Sequence, residues 1–108
     1  MFTRHVIVRL KAEAAPEFTR IIDQEVIPTL RKQKGFLDII TFISPDLTEA
    51  VSNSFWESQA DAERYHSEQY QNVTQILSPH METPPKVQTF DVDTSTTHHI
   101  SKGKAAAA

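Results

Sequence analysis

A histidine and a tyrosine, His5 and Tyr65, are the side chains of this sequence best suited to moving or holding a proton. His5 lies in an alternating apolar segment, residues 2–11, in which Val6 and Val8 share one parity and His5 has the other. If the valines face the core, His5 faces the other side of the sheet and an enclosed space there. A neutral imidazole in such a space can accept a proton from an acidic hydroxyl group. The alternative is a partly buried histidine that satisfies a neighbour or lines a subunit interface.

Tyr65 follows Trp56 by nine positions and lies on the apolar stripe of a helix predicted to begin at Ser58. Its hydroxyl group can hydrogen-bond a substrate oxygen; the alternative is a core aromatic whose hydroxyl reaches the surface. Trp56 can stack on an aromatic ligand or simply pack at the junction of strand and helix. His66 projects about 100° further round the helix than Tyr65, so we expect it at the solvent-facing side or rim.

Polar residues interrupt two otherwise apolar strands at Asp38 and Asn53. Burying either side chain without a partner costs about 1–3 kcal/mol, so we expect each to face a cavity, water or a partner. Arg9, in the first strand, can bind an anionic ligand or pair with Asp38, and we favour the ion pair. Phe42 and Trp56 are predicted to form the apolar wall of the same pocket.

Composition excludes several kinds of chemistry. The chain has 108 residues and no cysteine, which excludes disulfides, thiol catalysis and thiolate metal ligands. Its two glycines are too few for a glycine-rich phosphate-binding loop. The histidines lack the spacing of metal ligands, and no segment resembles the strained turn that presents a nucleophilic serine. We therefore predict no metal site.

Charge and hydropathy exclude further partners. A net charge of -3 gives no attraction to nucleic acid or to an anionic membrane surface. No apolar run approaches the 18 or so residues that span a bilayer, and the first residues lack a signal-peptide pattern. The expectation is a cytoplasmic protein without a nucleic-acid or membrane partner.

The apolar pattern predicts the element order β-α-β-β-α-β. Strands are expected over residues 2–11, 36–43, 49–56 and 86–93, and helices over residues 14–34 and 58–77. Pro28 should kink the first helix near Val26, and the second helix should break near Glu68. Gly35 is expected to end the first helix in a left-handed conformation, and Ser58 is expected to cap the second.

This order predicts an α+β, ferredoxin-like fold with a four-stranded antiparallel sheet and both helices on one face. Residues 1–93 form the predicted domain, and residues 94–108 are predicted to be a flexible C-terminal tail. The other face of the sheet would expose roughly 300 Å², near the largest apolar patch that a monomer tolerates. We therefore predict a homodimer that packs sheet to sheet and encloses a pocket, a dimeric α/β barrel.

Five stretches of sequence resemble the dimeric α/β barrel superfamily and together span about 90 residues. They are residues 5–11, residues 34–37, residues 55–58, the pair Tyr65-His66, and residues 84–90. The elements Gly35-Phe36-Leu37 and Trp56-Glu57-Ser58 are similar to the antibiotic biosynthesis monooxygenase branch. The first strand, with its histidine, is similar to the stress-responsive barrel branch.

The resemblance implies a cofactor-independent monooxygenase that oxidises a small phenolic or quinol-type aromatic with dioxygen, without flavin or metal. In that scheme His5 assists deprotonation, while Tyr65 and Asn53 orient oxygen atoms. The remaining pocket residues would be Arg9, Asp38, Phe42 and Trp56. Two alternatives stay open: a non-catalytic or stress-related dimer that binds a small hydrophobic molecule, and a structural dimer with a filled barrel. The catalytic groups of the haem-degrading branch are not matched.

Overall fold

The computed structural model describes residues 1–101, which form a four-stranded antiparallel sheet with helices on one face. The strands, in spatial order β2-β3-β1-β4, are β1 (Phe2–Arg9), β2 (Phe36–Ile43), β3 (Glu49–Trp56) and β4 (Lys86–Asp91). The helices are α1 (Ala15–Ile21), a π-helical turn (Ile22–Val26), α2 (Ile27–Arg31), α3 (Gln59–Glu68), α4 (Tyr70–Leu77) and a 3-10 turn (Ser78–His80). The predicted ferredoxin-like fold is confirmed.

The first helix changes pitch where the sequence predicted a kink. Pro28 has no N–H group to donate to the preceding turn, so the α-helical ladder cannot continue through it. The N–H of Ile27 instead donates to the carbonyl of Ile22, five residues back, which makes a π turn. The extra residue of this turn keeps Phe18 and Leu30, on either side of it, buried on the face towards the sheet.

The second helical segment begins and breaks as predicted. The hydroxyl oxygen of Ser58 accepts from the N–H of Asp61 at 3.2 Å, and the hydroxyl donates to Oδ2 of Asp61 at 3.0 Å. At Gln69 the backbone turns to φ -122°, which separates α3 from α4. Gly35 has φ +80°, as expected, and a Cβ atom there would collide with the carboxyl group of Asp61.

The sheet has one covered face and one open face. Ile40, Phe42 and Phe90 lie on the open face and are 43, 52 and 52% exposed. A β-bulge between Phe36 and Asp38 shifts the alternation of β2. Strict alternation along β2 would place Phe36 on the same face as Ile40 and Phe42, but after the bulge Phe36 packs against the core on the opposite face.

Residues 94–101, predicted as part of a flexible tail, form a short hairpin of strands β5 (Thr94–Ser95) and β6 (Ile100–Ser101). The imidazole of His98 lies 5.3 Å from the ring of Phe55, and its Nε2 lies 3.9 Å from Oδ2 of Asp38. The hairpin thus covers one corner of the open face. The rest of the predicted tail, residues 102–108, lies outside the described residues. Within residues 1–101, every helix is too short or too polar to cross a bilayer.

Candidate functional site

An apolar cavity of about 60 Å³ lies between the covered face of the sheet and the helices. The sequence predicted a pocket on the opposite, open side of the sheet. Most of the lining is aliphatic, and Val6, Val8, Ile22, Val26, Val73 and Leu77 are among the residues that form it. The polar lining residues are Arg4, Ser52, Ser54, Tyr65, Tyr70 and Thr74.

Arg4 is a cation buried at the edge of this cavity, with an exposed fraction of 3%. Its guanidinium carbon lies 4.3 Å from the ring centre of Tyr70 and 5.1 Å from that of Tyr65. Its Nη2 donates to Nδ1 of His66 at 3.0 Å. We call Arg4, Tyr65, His66 and Tyr70 the Arg4 cluster. Within residues 1–101 no aspartate or glutamate forms an ion pair with Arg4.

The environment sets the protonation of the Arg4 cluster. Burial lowers the pKa of Arg4, but a guanidinium remains charged at neutral pH. Burial raises the pKa of Tyr65 to about 12, so its hydroxyl keeps its proton. Burial, and then the charge of Arg4, lower the pKa of His66, which favours the neutral imidazole. The hydroxyl of Tyr70 is buried and has no hydrogen-bond partner among the described residues.

A second, outer pocket of about 210 Å³ lies between α3 and β4. Its lining consists of Phe2, Arg4, Ala62, Glu63, His66, Val87 and Thr89. Within the described part of the chain, Arg4 is the one residue that lines both spaces. The side chain of Arg4 therefore borders both the inner cavity and the outer pocket.

His5 lies on the open face, away from both spaces. Its Nδ1 donates to Oδ1 of Asn53 at 2.7 Å, and its ring contacts the edge of Phe90 at a centroid distance of 6.5 Å. The structure thus brings His5 together with Asn53 on one face of the sheet. It does not bring either residue to Tyr65, which lies under the other face.

Trp56 is fully buried and packs in the core instead of lining the cavity. Its Nε1 donates to the hydroxyl of Ser54 at 3.0 Å, and its ring stacks on Tyr65 at 5.1 Å. Phe42, the other predicted wall residue, lies on the open face. The two predicted wall residues are therefore on opposite faces of the sheet.

The predicted ion pair between Arg9 and Asp38 is wrong. Nε of Arg9 lies 3.6 Å from Oε2 of Glu82, in a solvent-exposed pair. The antiparallel register explains the difference, because Arg9 lies opposite Glu49 and Asp38 opposite Phe55, at the two ends of β3. The backbone N–H of Ile39 donates to Oδ1 of Asp38 at 2.8 Å.

Sequence reasoning missed Arg4 and Tyr70 and treated His66 only as a rim residue. A signal for Arg4 was present, because it shares the parity of Val6 and Val8 and is therefore a charge on the core face of β1. Its contacts with the two helix residues depend on the packing of α3 and α4 onto the sheet. Within residues 1–101 no group of three histidine, aspartate or glutamate side chains is arranged to hold a metal ion.

Comparison with known proteins identifies the family. Residues 1–75 match the antibiotic biosynthesis monooxygenase family, and the chain belongs to it. The comparison with curated protein sequences returned no match.

Solved structures share the fold at low sequence identity. A monooxygenase from the gene ActVA-Orf6 of Streptomyces coelicolor, in complex with nanaomycin D, has a TM-score of 0.76 and 20% identity over 87% of this chain and 88% of that one. SnoaB, a cofactor-independent oxygenase from Streptomyces nogalater, has a TM-score of 0.74 and 12% identity over 88% and 95%. A protein from Mycobacterium tuberculosis has a TM-score of 0.70 and 16% identity over 88% and 97%.

Proposed function

We propose that this protein is a cofactor-independent monooxygenase that oxidises a small phenolic or quinol-type aromatic with dioxygen. The observation that carries the proposal is the Arg4 cluster, a group of polar side chains at an apolar cavity in a member of this family. Two similar structures are described as a monooxygenase with nanaomycin D and as a cofactor-independent oxygenase, which supports the same chemistry here.

The reaction balances without an added reductant. A phenol and one molecule of dioxygen give a quinone and one molecule of water. A carbon–hydrogen bond para or ortho to the hydroxyl group breaks, and a carbon–oxygen double bond replaces it. The second oxygen atom leaves as water, so the substrate supplies all the electrons. Removal of the phenolic proton starts the sequence, because the phenolate is the electron-rich form that reacts with dioxygen.

The Arg4 cluster supplies groups for that first step. The guanidinium of Arg4 stabilises a phenolate beside it, because it is a fixed positive charge that is itself almost wholly buried. When a substrate oxygen takes the Arg4 hydrogen bond, Nδ1 of the neutral His66 becomes free to accept the phenolic proton. The hydroxyl of Tyr65 orients the substrate, and the stacked Trp56 fixes the Tyr65 ring.

The open face suits a second proposal, a homodimer that packs sheet to sheet. Exposed Ile40, Phe42 and Phe90 on one face of the sheet support it. In such a dimer His5 and Asn53 would line the space between the two sheets. They are the candidate catalytic residues if the reaction takes place there instead of beside the Arg4 cluster.

Oxygen uptake with a panel of naphthoquinols and polyphenols tests the proposed activity. With isotopically labelled dioxygen, monooxygenation places one labelled atom in the product and one in water, whereas dehydrogenation of a quinol to its quinone places both in hydrogen peroxide; an enzyme-free sample measures the uncatalysed background. We expect metal- and flavin-free uptake that falls at least about tenfold in Tyr65→Phe, the loss typical of one positioned hydrogen bond. A comparable fall in oxygen uptake in His5→Ala, with no fall in Tyr65→Phe, would indicate that the reaction takes place at the open face.

A non-catalytic protein that binds a small hydrophobic molecule is the second candidate function. One observation favours it: the described residues that line the inner cavity include no histidine, aspartate or glutamate, and Nδ1 of His66, the proton acceptor of the Arg4 cluster, is already occupied by Arg4. Binding of naphthols without labelled product, in wild type and Tyr65→Phe alike, would support this function over catalysis.

A further inference from the structure

The buried charge of Arg4 has no opposite charge to balance it. The guanidinium is 3% exposed and forms no ion pair within residues 1–101. Its partners are two aromatic faces and one imidazole nitrogen, all of them neutral. Removing a cation from water is costly unless an anion accompanies it. An anionic ligand would supply the missing charge.

The neighbouring Tyr70 provides a second observation, independent of the unbalanced charge of Arg4. The hydroxyl of Tyr70 is buried without a hydrogen-bond partner among the described residues, although buried hydroxyl groups are normally paired. Tyr70 lines the inner cavity, and its ring lies against the Arg4 guanidinium. The unpaired hydroxyl group and the unbalanced cation thus belong to two side chains that contact each other at the edge of the inner cavity.

We propose that the Arg4 guanidinium and the Tyr70 hydroxyl bind the ionised oxygen of a small aromatic monoanion, either a phenolate or a carboxylate. This inference rests on the proposed function in taking the ligand to be the substrate, but the binding site itself does not require catalysis. The ligand oxygen accepts from both groups and replaces His66 as the acceptor for Arg4.

The surrounding charges favour a monoanion over a phosphate dianion. The charged groups that line the outer pocket are Arg4 and Glu63, of opposite sign, beside the neutral His66. A single negative charge on the ligand matches Arg4, whereas a second one would meet the carboxylate of Glu63. The remaining lining of the outer pocket is largely apolar and suits an aromatic ring.

The sizes of the two spaces indicate where the ring binds. A cavity of about 150 Å³ holds a benzene ring, and the inner cavity of about 60 Å³ does not reach that size. The outer pocket of about 210 Å³ does. The ring therefore binds in the outer pocket, with its ionised oxygen directed inward to Arg4 and Tyr70.

Titration calorimetry with benzoate and with benzamide, its neutral counterpart, tests the charge requirement. We expect benzoate to bind at least about tenfold more tightly than benzamide, as a charge-assisted hydrogen bond predicts. Arg4→Met should abolish that preference. Tyr70→Phe, which keeps the ring over Arg4, should weaken benzoate binding several-fold. Arg31→Met, which removes an exposed arginine from α2, is the matched control and should bind benzoate as wild type does.

A pH titration of bound 4-nitrophenol, followed by the colour of its phenolate, separates phenolate from carboxylate recognition. In wild type the pKa of the bound dye should fall below that of the free dye, because Arg4 stabilises the phenolate. In Arg4→Met it should rise, because an apolar site disfavours the charged form. A lowered pKa with weak benzoate binding identifies a phenolate site, and the reverse identifies a carboxylate site.

Equal binding of benzoate and benzamide, together with an unshifted pKa of the bound dye, would overturn the inference. Anion binding that depends on Arg4, without labelled oxygen in any product, would leave this site standing and reject the proposed oxygenase. Labelled product from a protein that shows no preference for anions would support the proposed oxygenase and reject the anion-binding site. The two proposals can therefore fail separately.

Discussion

At the scale of single residues, Arg4 differs from every other residue on the covered face of β1. Phe2 and Val8 share its parity and are buried apolar residues, as is Leu10 just after the strand. The two tyrosine rings recover part of the cost of burying the cation, because a guanidinium over an aromatic face gains about 0.5–2 kcal/mol. That recovery is smaller than the several kcal/mol that burial of an ion costs. Arg4 is therefore expected to serve ligand binding at the expense of stability.

Replacement of Arg4 by methionine should consequently stabilise the protein. Methionine is shorter than arginine, but its flexible apolar chain can pack against the rings of Tyr65 and Tyr70 without a buried charge. We expect the free energy of unfolding of Arg4→Met to rise by roughly 1 kcal/mol or more, as seen when buried charges become apolar. Urea denaturation followed by circular dichroism measures it. Arg31→Met, at an exposed position, should change it by less than about 0.5 kcal/mol. A marked loss of stability in Arg4→Met would assign Arg4 a structural role.

At the scale of elements, the start of α3 depends on one side chain. Ser58 satisfies the N–H of Asp61, which has no acceptor within the helix. Ser58→Ala should lower the free energy of unfolding by about 1 kcal/mol and the melting temperature by about 4–8 °C. Calorimetry would measure both.

Ser67→Ala is the matched control for Ser58→Ala, because Ser67 is an exposed serine inside the same helix. Its hydroxyl donates only to the carbonyl of Arg64, and alanine is the better helix former, so we expect no loss of stability. If both substitutions cost the same, the capping bond contributes nothing specific to Ser58.

The elements that were predictable from the sequence are those with local causes. The cap at Ser58, the left-handed Gly35 and the irregularity before Pro28 each follow from the chemistry of one residue. The bulge in β2 and the hairpin over residues 94–101 depend on contacts between distant segments, and the sequence pattern did not indicate them.

The candidate site was less predictable than the fold, for a physical reason. His5 and Tyr65 are predicted from residue types that move protons, but the periods of a strand and of a helix decide only which side of its own element each residue takes. Which face encloses a cavity depends on how α1, α2 and α4 cover the sheet. The alternation of β1 indicates that Arg4 is a charged residue on the core face. Its contact with Tyr70 depends on the break at Gln69, after which α4 begins.

In the molecule as a whole, the two faces of the sheet carry different kinds of side chain and different exposure to solvent. The covered face carries the core and the Arg4 cluster. The open face carries His5 and Asn53 among exposed apolar side chains such as Ile40 and Phe90. Exposed apolar side chains gathered on one face favour association, because their burial gains about 25 cal/mol per Å².

The proposed dimer predicts that a charge on the open face will separate the subunits. Ile40→Glu replaces an apolar side chain that is 43% exposed, and a two-fold interface changes twice. We expect the dimer dissociation constant to rise at least about 100-fold, because each subunit loses about 1.5 kcal/mol or more of apolar burial. Sedimentation equilibrium measures it. Leu47→Glu, at a residue that is 54% exposed in the turn between β2 and β3, should leave the constant unchanged. A monomeric wild type, or a dimer broken only by Leu47→Glu, would reject the sheet-to-sheet arrangement and remove the enclosed space that a catalytic His5 requires.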